Sequence, residues 1–355
     1  MNTARKLAAN LQTGEAALVA SPHNRRYLTG FASSDGYVLI TRDADYFLTD
    51  SRYIEAARRR IREMECLCYR RPMAALQELL EKHGVKKLHV SGGNTTLSAF
   101  HAMREAFHGC EVSGGKELDN WLGALRRVKS SEELAKIRQA QALTEAGFDH
   151  ILPFIRPGRT EREIALELEF FIRRQGAECV AFDFIVVSGA NSSLPHGVPG
   201  DKKVEPGDFV TMDFGAVVDG WHSDMTRTVA VGTVSEEQKR VYDTVLSAQL
   251  AALSVLKAGL DCAAGDAAAR RVIEQAGYGE NFGHSTGHGV GVEIHEEPRL
   301  SPSADGCQLE PGNVVTVEPG IYLEGKFGVR IEDMAFITDS GCENLTKSPK
   351  SLLIL

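Results

Sequence analysis

Positive charge is the first thing this chain is short of. Its 355 residues carry 40 Lys and Arg against 48 Asp and Glu, a formal net charge of −8. A nucleic-acid or anionic-membrane surface needs a basic footprint, so neither partner is expected. Long apolar runs are missing as well, and nothing approaches the roughly 18 residues of a membrane span. The opening stretch MNTARKLAANLQTGEAALVA lacks a continuous apolar core ahead of a cleavage site, which is not the pattern of a signal peptide. Cysteine is sparse and scattered: seven residues, no CxxC, with Cys66 and Cys68 the closest pair. That argues against a disulfide framework and for a reducing, cytoplasmic setting. No HExxH occurs. Asp213-Phe214-Gly215 spells a kinase tripeptide, but no HRD loop or glycine-rich loop accompanies it. The glycines near 287–291 do not form GxGxxG after a strand, so a dinucleotide site is not indicated.

What is present is an ordinary globular composition, 43% hydrophobic and 25% charged, with length for about two domains. The first part alternates short strands and helices. Residues 17–20, 37–41, 46–50 and 87–93 read as strands, and 51–62 and 95–107 as helices. This predicts a small α/β domain over residues 1–127 and a second domain over 128–355. Ser130 with Glu133 has the spacing of a capping box. It opens a long amphipathic helix expected to stop at Pro157-Gly158.

One string occurs twice in the second part. Residues 205–215 read EPGDFVTMDFG and residues 310–320 read EPGNVVTVEPG, which places Asp213 on Glu318. The similarity extends outward. Thr160 with Glu163, and Asp261, each cap a helix that is followed by a histidine-bearing loop and then by EPG and a strand. This is one duplication, not a solenoid.

Each copy ends in a hairpin with acids. Asp219-Gly220 is a strong two-residue turn signal. It pairs residue 218 with 221, 215 with 224 and 213 with 226. Asp213 and Asp224 then share a face as diagonal neighbours, about 7–8 Å apart at the backbone. In the second hairpin Val315 and Val317 alternate with Thr316 and Glu318, and Val329 and Ile331 with Arg330 and Glu332. The valines and isoleucines are expected to face the core, and the two glutamates the site. A single acid on a strand is usually solvated. Four on two duplicated apolar hairpins would repel and take up protons unless cations lie between them.

The segment GHSTGHGVGVEIHEEP (283–298) holds His284, His288 and His295. Imidazole is the commonest metal ligand, and the flanking glycines argue against a helical His pair. The bland reading of any one histidine is a hydrogen-bonded core residue. His196, in NSSLPHGVP, occupies the equivalent loop of the first half.

The second part, over roughly residues 130–355, resembles the pita-bread metallopeptidases. It does so through MDFG, SDMTRT, GHGVGVEIHEEP, VEPGIY and VRIED. The first part is similar to the creatinase/prolidase-type N-terminal domain through NRRYLTGF, SSDGYVLIT and TDSRYIEAA. Methionine aminopeptidases lack that domain, so the resemblance favours the proline-directed branch, aminopeptidase P and prolidase. The fold it implies is an α/β N-terminal domain plus an α+β pita-bread catalytic domain with internal pseudo-duplication. The metal ligands it implies are Asp213, Asp224, His288, Glu318 and Glu332, for two divalent ions: Mn²⁺ first, with Co²⁺, Zn²⁺ or Fe²⁺ as alternatives. His196, His284, His295, Tyr322 and Arg330 fall on active-site positions of the family.

The mechanism implied has the two ions activate a water. Glu318 takes its proton and passes it to the leaving proline nitrogen, and His295 and His196 hydrogen-bond the developing charge. Arg330 is expected to orient Glu332 or a substrate carboxylate. The first expectation is an Xaa-Pro aminopeptidase acting on small peptides with proline second. The alternatives are an Xaa-Pro dipeptidase, a metal-free creatinase-like C–N hydrolase and a non-catalytic peptide-binding module. A homodimer is expected by the same resemblance.

Overall fold

Apolar residues in strands buried on both faces run continuously instead of alternating with polar ones, and the N-terminal strands do this. The computed structural model describes residues 3–355. The chain divides into two compact units, one ending at Arg126 and the other Arg127–Leu355. The first holds a six-stranded mixed sheet in the order Glu65–Cys68, Asp45–Thr49, Tyr37–Thr41, Glu15–Val19, Lys87–Val90, Glu111–Ser113. Ala17, Val19, Val38, Ile40 and Phe47 pack on one face, and Ala16, Leu18, Leu39 and Leu48 on the other. The helix predicted over 51–62 is shorter, Ile54–Arg60. The helix predicted over 95–107 is Leu97–Ala106, with Thr96 Oγ1 accepting from the Ala99 N–H.

In the second unit the repeated string folds the same way twice. Gly207 and Gly312 both have φ of 95°, a left-handed conformation that glycine adopts without strain. The residue after each, Asp208 or Asn313, accepts from the backbone N–H of the glutamate that opens the string, at 3.0 and 2.8 Å. An isolated antiparallel bridge precedes each string, Thr160 with Lys203 and Asp261 with Gln308. The capped helices of the two halves are Glu161–Arg174 and Cys262–Gln275.

The alternation expected on the first hairpin is present. Val210, Met212 and Phe214 of Phe209–Phe214 pack against the helices Ser131–Ile151 and Glu161–Arg174. In the second half Val315, Val317, Val329 and Ile331 pack against Cys262–Gln275 and a helix not anticipated from sequence, Glu236–Val255. Ser235 and Gln238 close a capping box at its start, a signal present in SEEQ but not read. The long helix Ser131–Ile151 carries the predicted Ser130–Glu133 box. It ends six residues before Pro157, because Pro153 has no N–H to continue the ladder and the chain passes into a 3₁₀ turn, Leu152–Phe154.

The Asp219-Gly220 turn has the predicted register: Val218 faces Trp221 and Asp213 faces Thr226. Asp219 and Gly220 have φ of 48° and 82°, as a tight hairpin turn of this hand requires. In the second hairpin Val317 faces Asp333 and Gly320 faces Arg330, so one register runs through and sets Glu318 opposite Glu332.

Close backbone approach fixes one glycine. A Cβ on Gly215 would lie 1.9 Å from the Ser223 carbonyl oxygen. Backbone cannot yield as a flexible side chain can, so Gly215→Ala is expected to cost about 3 kcal/mol. Denaturant melts would show this as a lowered midpoint, and an unchanged midpoint would remove the close-approach argument.

Candidate metal centre

Each hairpin aims its polar face inward, and the polar residues converge. Asp224, His288 and Glu332 each offer a ligand atom, all within 4.8 Å of one another, and all three residues are buried. His288 lies on the short strand Gly287–Gly289, not on a helix. Its Nδ1 stands 3.0 Å from the Gly289 carbonyl oxygen, and a carbonyl can only accept, so Nδ1 carries the proton. Nε2 faces Glu318 Oε1 at 3.2 Å and Asp224 Oδ2 at 3.6 Å. Burial lowers the His288 pKa, but the Glu318 hydrogen bond and charge outweigh it and raise it, so without a cation Nε2 is protonated too and donates to Glu318.

Asp213 joins the group through Arg330, whose Nη2 donates to Asp213 Oδ2 at 2.7 Å. Arg330 therefore orients Asp213, where Glu332 or a substrate carboxylate is the partner expected from sequence. The reason is a threonine. Thr226, opposite Asp213, donates to Glu332 Oε2 at 2.7 Å and accepts from Arg330 Nε at 3.0 Å, so it stands between the arginine and the glutamate. Behind the acids a chain of hydrogen bonds continues outward. Arg330 Nη1 donates to the Tyr322 hydroxyl at 2.9 Å, and that hydroxyl lies 2.9 Å from His284 Nε2. His284 Nδ1 faces the Ser285 carbonyl at 2.8 Å, so its Nε2 accepts from the tyrosine. Arg270, paired with Asp266, holds the His284 carbonyl at 2.8 Å.

Charge in this space is out of balance. Burial, then the neighbouring Glu332 and Asp213, push the Asp224 carboxyl well above the usual range. Burial, then Glu318 and Asp213, do the same to Glu332. Burial also raises Asp213, against the pull of Arg330. Burial alone would raise Glu318, but the His288 hydrogen bond and charge, with Arg330, outweigh it and bring it to about 2. Burial lowers His284 and His295.

Three carboxylate oxygens, Asp213 Oδ1, Asp224 Oδ1 and Glu332 Oε1, are buried without a hydrogen-bond partner among the described residues. Orphaned anionic oxygens are costly unless a cation takes them. Hard carboxylate oxygens and one imidazole nitrogen form a donor set suited to divalent ions of the Mn²⁺ to Zn²⁺ series. The residues fit such a group.

The acids open into a cavity of about 650 Å³ that also exposes His196, His284, His295 and Arg330. The ring centroids of His288 and His295 are 4.4 Å apart. Tyr322 and Glu332 stand behind this lining, reached through Arg330 and Thr226. Phe182, Phe184, Ile185 and Ile294 give the cavity an apolar side. Arg299, not singled out from sequence, also lines it, with its side chain half exposed and Nε 3.8 Å from Glu297 Oε1. Its only signal was its place in HEEPRL, just past the histidines. Thr226 and Thr316 were missed too. Thr316 donates to Glu318 Oε1 at 3.1 Å, and a buried threonine in a valine-rich strand is ordinary.

Comparison with known proteins agrees over both units. Residues 135–339 match the model of metallopeptidase family M24, and residues 3–128 match the creatinase/prolidase N-terminal domain. The Xaa-Pro dipeptidase of Pyrococcus furiosus is 37% identical over 339 residues, 94% of each chain. A solved Xaa-Pro dipeptidase from Bacillus anthracis is 43% identical, with a TM-score of 0.95 over 99% of each chain. A solved X-Pro aminopeptidase from Thermotoga maritima is 38% identical, with a TM-score of 0.92 over 98% of this chain and 99% of that one.

Proposed function

Because the chain belongs to metallopeptidase family M24, with a creatinase/prolidase N-terminal domain and a pita-bread catalytic domain, we propose that it is an Xaa-Pro dipeptidase. This reverses the order of the two readings drawn from sequence. The aminopeptidase reading keeps support from the Thermotoga relative. The dipeptidase reading has the Bacillus and Pyrococcus relatives, and one feature of the cavity carries it. A dipeptidase must neutralise the carboxylate immediately beyond the scissile bond, whereas an aminopeptidase must leave that end open. Arg299 is a half-exposed cation on the cavity wall, apart from the Asp213–Arg330 pair. Guanidinium is the side chain best shaped for a carboxylate.

Asp213, Asp224, His288, Glu318 and Glu332 would hold two divalent ions, Mn²⁺ being the one we favour. When bound, such ions supply Lewis acidity and a concentrated positive charge facing the scissile carbonyl. Glu318, held by Thr316 and facing His288, takes a proton at its carboxylate from the water whose oxygen bonds to the scissile carbonyl carbon, and returns it to the leaving proline nitrogen as the C–N bond breaks. That return matters because the Xaa-Pro nitrogen has no hydrogen of its own. His295 and His196 donate to the charge that develops on the carbonyl oxygen. Arg330 and Tyr322 keep Asp213 and His284 in place. The side formed by Phe182, Phe184 and Ile294 accepts the proline ring.

The test is hydrolysis of an Xaa-Pro dipeptide beside an Xaa-Pro-Yaa tripeptide, with and without added Mn²⁺ or Co²⁺. Cleavage of the dipeptide alone is expected. Preference for the tripeptide would return the reading to an aminopeptidase, and no cleavage of either would sink both. Arg299→Ala is expected to raise KM for the dipeptide about 10- to 100-fold with kcat less affected, from the loss of a charge-assisted pair. An unchanged KM would remove Arg299 from recognition.

A further inference from the structure

The loop that carries His196 is tied at its neck by one carboxylate. Glu161, the first residue of the helix Glu161–Arg174, is fully buried. Its Oε1 accepts from the Ser188 backbone N–H at 2.7 Å, the Ser188 hydroxyl at 3.0 Å and Asn191 Nδ2 at 3.1 Å. Its Oε2 accepts from the Gly200 backbone N–H at 3.1 Å and from Asn191 Nδ2 at 3.3 Å. Ser188 ends the strand before the loop, and Gly200 lies where the loop rejoins the helix, with the Arg162 N–H bonded to the Gly200 carbonyl at 3.0 Å. Between them the chain runs out to Pro195, His196, Gly197 and Val198 on the cavity wall.

A helix N-terminus can accept any acid, and a capping role needs only one or two bonds. Glu161 does more: both oxygens are spent on groups at opposite ends of one loop. Near its tip the loop is also seated, by Gly328 N–H on Ser192 Oγ at 2.8 Å and Arg330 Nη1 on the Pro195 carbonyl at 3.2 Å. The backbone path between those seats and the neck determines where the imidazole points.

We propose that Glu161 is the positioning residue for His196, acting on the reaction through that histidine and not through the acid cluster. The inference rests on the reading of this cavity as the peptidase site. A glutamine at 161 keeps the volume but turns one acceptor into a donor. Either Ser188 or Gly200 then faces an N–H with its own N–H, and the neck opens. A displacement near 1 Å in a reacting group can cost on the order of 10²-fold.

The experiment is a double-mutant cycle with Glu161→Gln, His196→Ala and the double variant, read as kcat/KM on the substrate cleaved and as metal bound per chain. Glu161→Gln is expected to lose about 10- to 100-fold with metal content unchanged, and to cost nothing further in the His196→Ala background. Multiplicative losses, or loss of metal, would overturn the proposal. A second readout needs no activity. The Ser188 and Gly200 backbone amides donate to Glu161, so in Glu161→Gln at least one of them is expected to exchange its hydrogen with solvent faster than in wild type. Equal exchange at both amides would overturn the proposal even if no Xaa-Pro substrate is found, which separates its failure from that of the functional reading. Asn191→Ala, which removes one donor and leaves the carboxylate, should shift both readouts the same way by less. It covers the case in which Glu161→Gln does not fold.

Discussion

Replacing Asp224 by Asn is expected to lower kcat/KM by about 10³-fold or more while making the chelated protein more stable. Both effects follow from the same crowding. Asp224 lies with His288 and Glu332 inside a 4.8 Å cluster, and its second oxygen has no partner among the described residues. With cations bound, that oxygen is a ligand, and losing it removes several kcal/mol of charge stabilisation. Without cations, the carboxyl is pushed well above its usual range by burial and by Glu332 and Asp213. An acid raised in the folded state binds more protons there than in the unfolded chain, so folding stability falls as pH rises through that window. For Asp224 and Glu332 the window opens near the unfolded value of about 4 and extends upward to their raised folded values. Glu318 has the opposite sign, but its contribution is lost only as pH falls toward about 2. The chelated wild type should therefore lose stability from about pH 4 upward, and Asp224→Asn should flatten that loss. Thermal melts in chelator across pH would show it. A variant less stable than wild type in chelator would contradict the reading of the acids as mutually repelling.

Glu318→Gln is expected to lower kcat by about 10³-fold or more, with KM little changed. Glu318 is the acid that two roles share. Opposite Glu332 in the hairpin register, it is placed to hold a cation, and its Oε1 faces both His288 and the Thr316 hydroxyl. A glutamine keeps one ligand oxygen but cannot carry a proton. The loss should therefore persist at saturating Mn²⁺, where Asp224→Asn should partly recover. Single-turnover rates at high metal would separate the two. Activity of the Glu318→Gln variant within tenfold of wild type would remove the proton-carrier role.

The acids were legible because strand geometry is periodic. A period of two and a turn of known register placed Asp213 against Thr226, and the apolar alternation set the glutamates of the second hairpin on one face. The duplicated EPG string folded as twin turns because its glycine and the Asp or Asn after it dictate local conformation. What sequence did not disclose was partnership at long range. Arg330 chooses Asp213 because Thr226 intervenes, and no spacing rule reaches across two sheets. Glu161 read as one residue of a helix N-terminus, since its four donors lie 27 to 39 residues away. Arg299 is a surface cation until the fold bends its strand to the cavity. The helix Glu236–Val255 carries no site residue, and its start is marked in the sequence by the Ser235–Gln238 capping box.

The most direct measurement of the central claim is calorimetric titration of the dialysed protein with Mn²⁺, run beside Asp224→Asn. About two ions per chain are expected for wild type, with fewer or weaker binding in the variant. Absence of binding by wild type, or identical isotherms for the two proteins, would contradict the account.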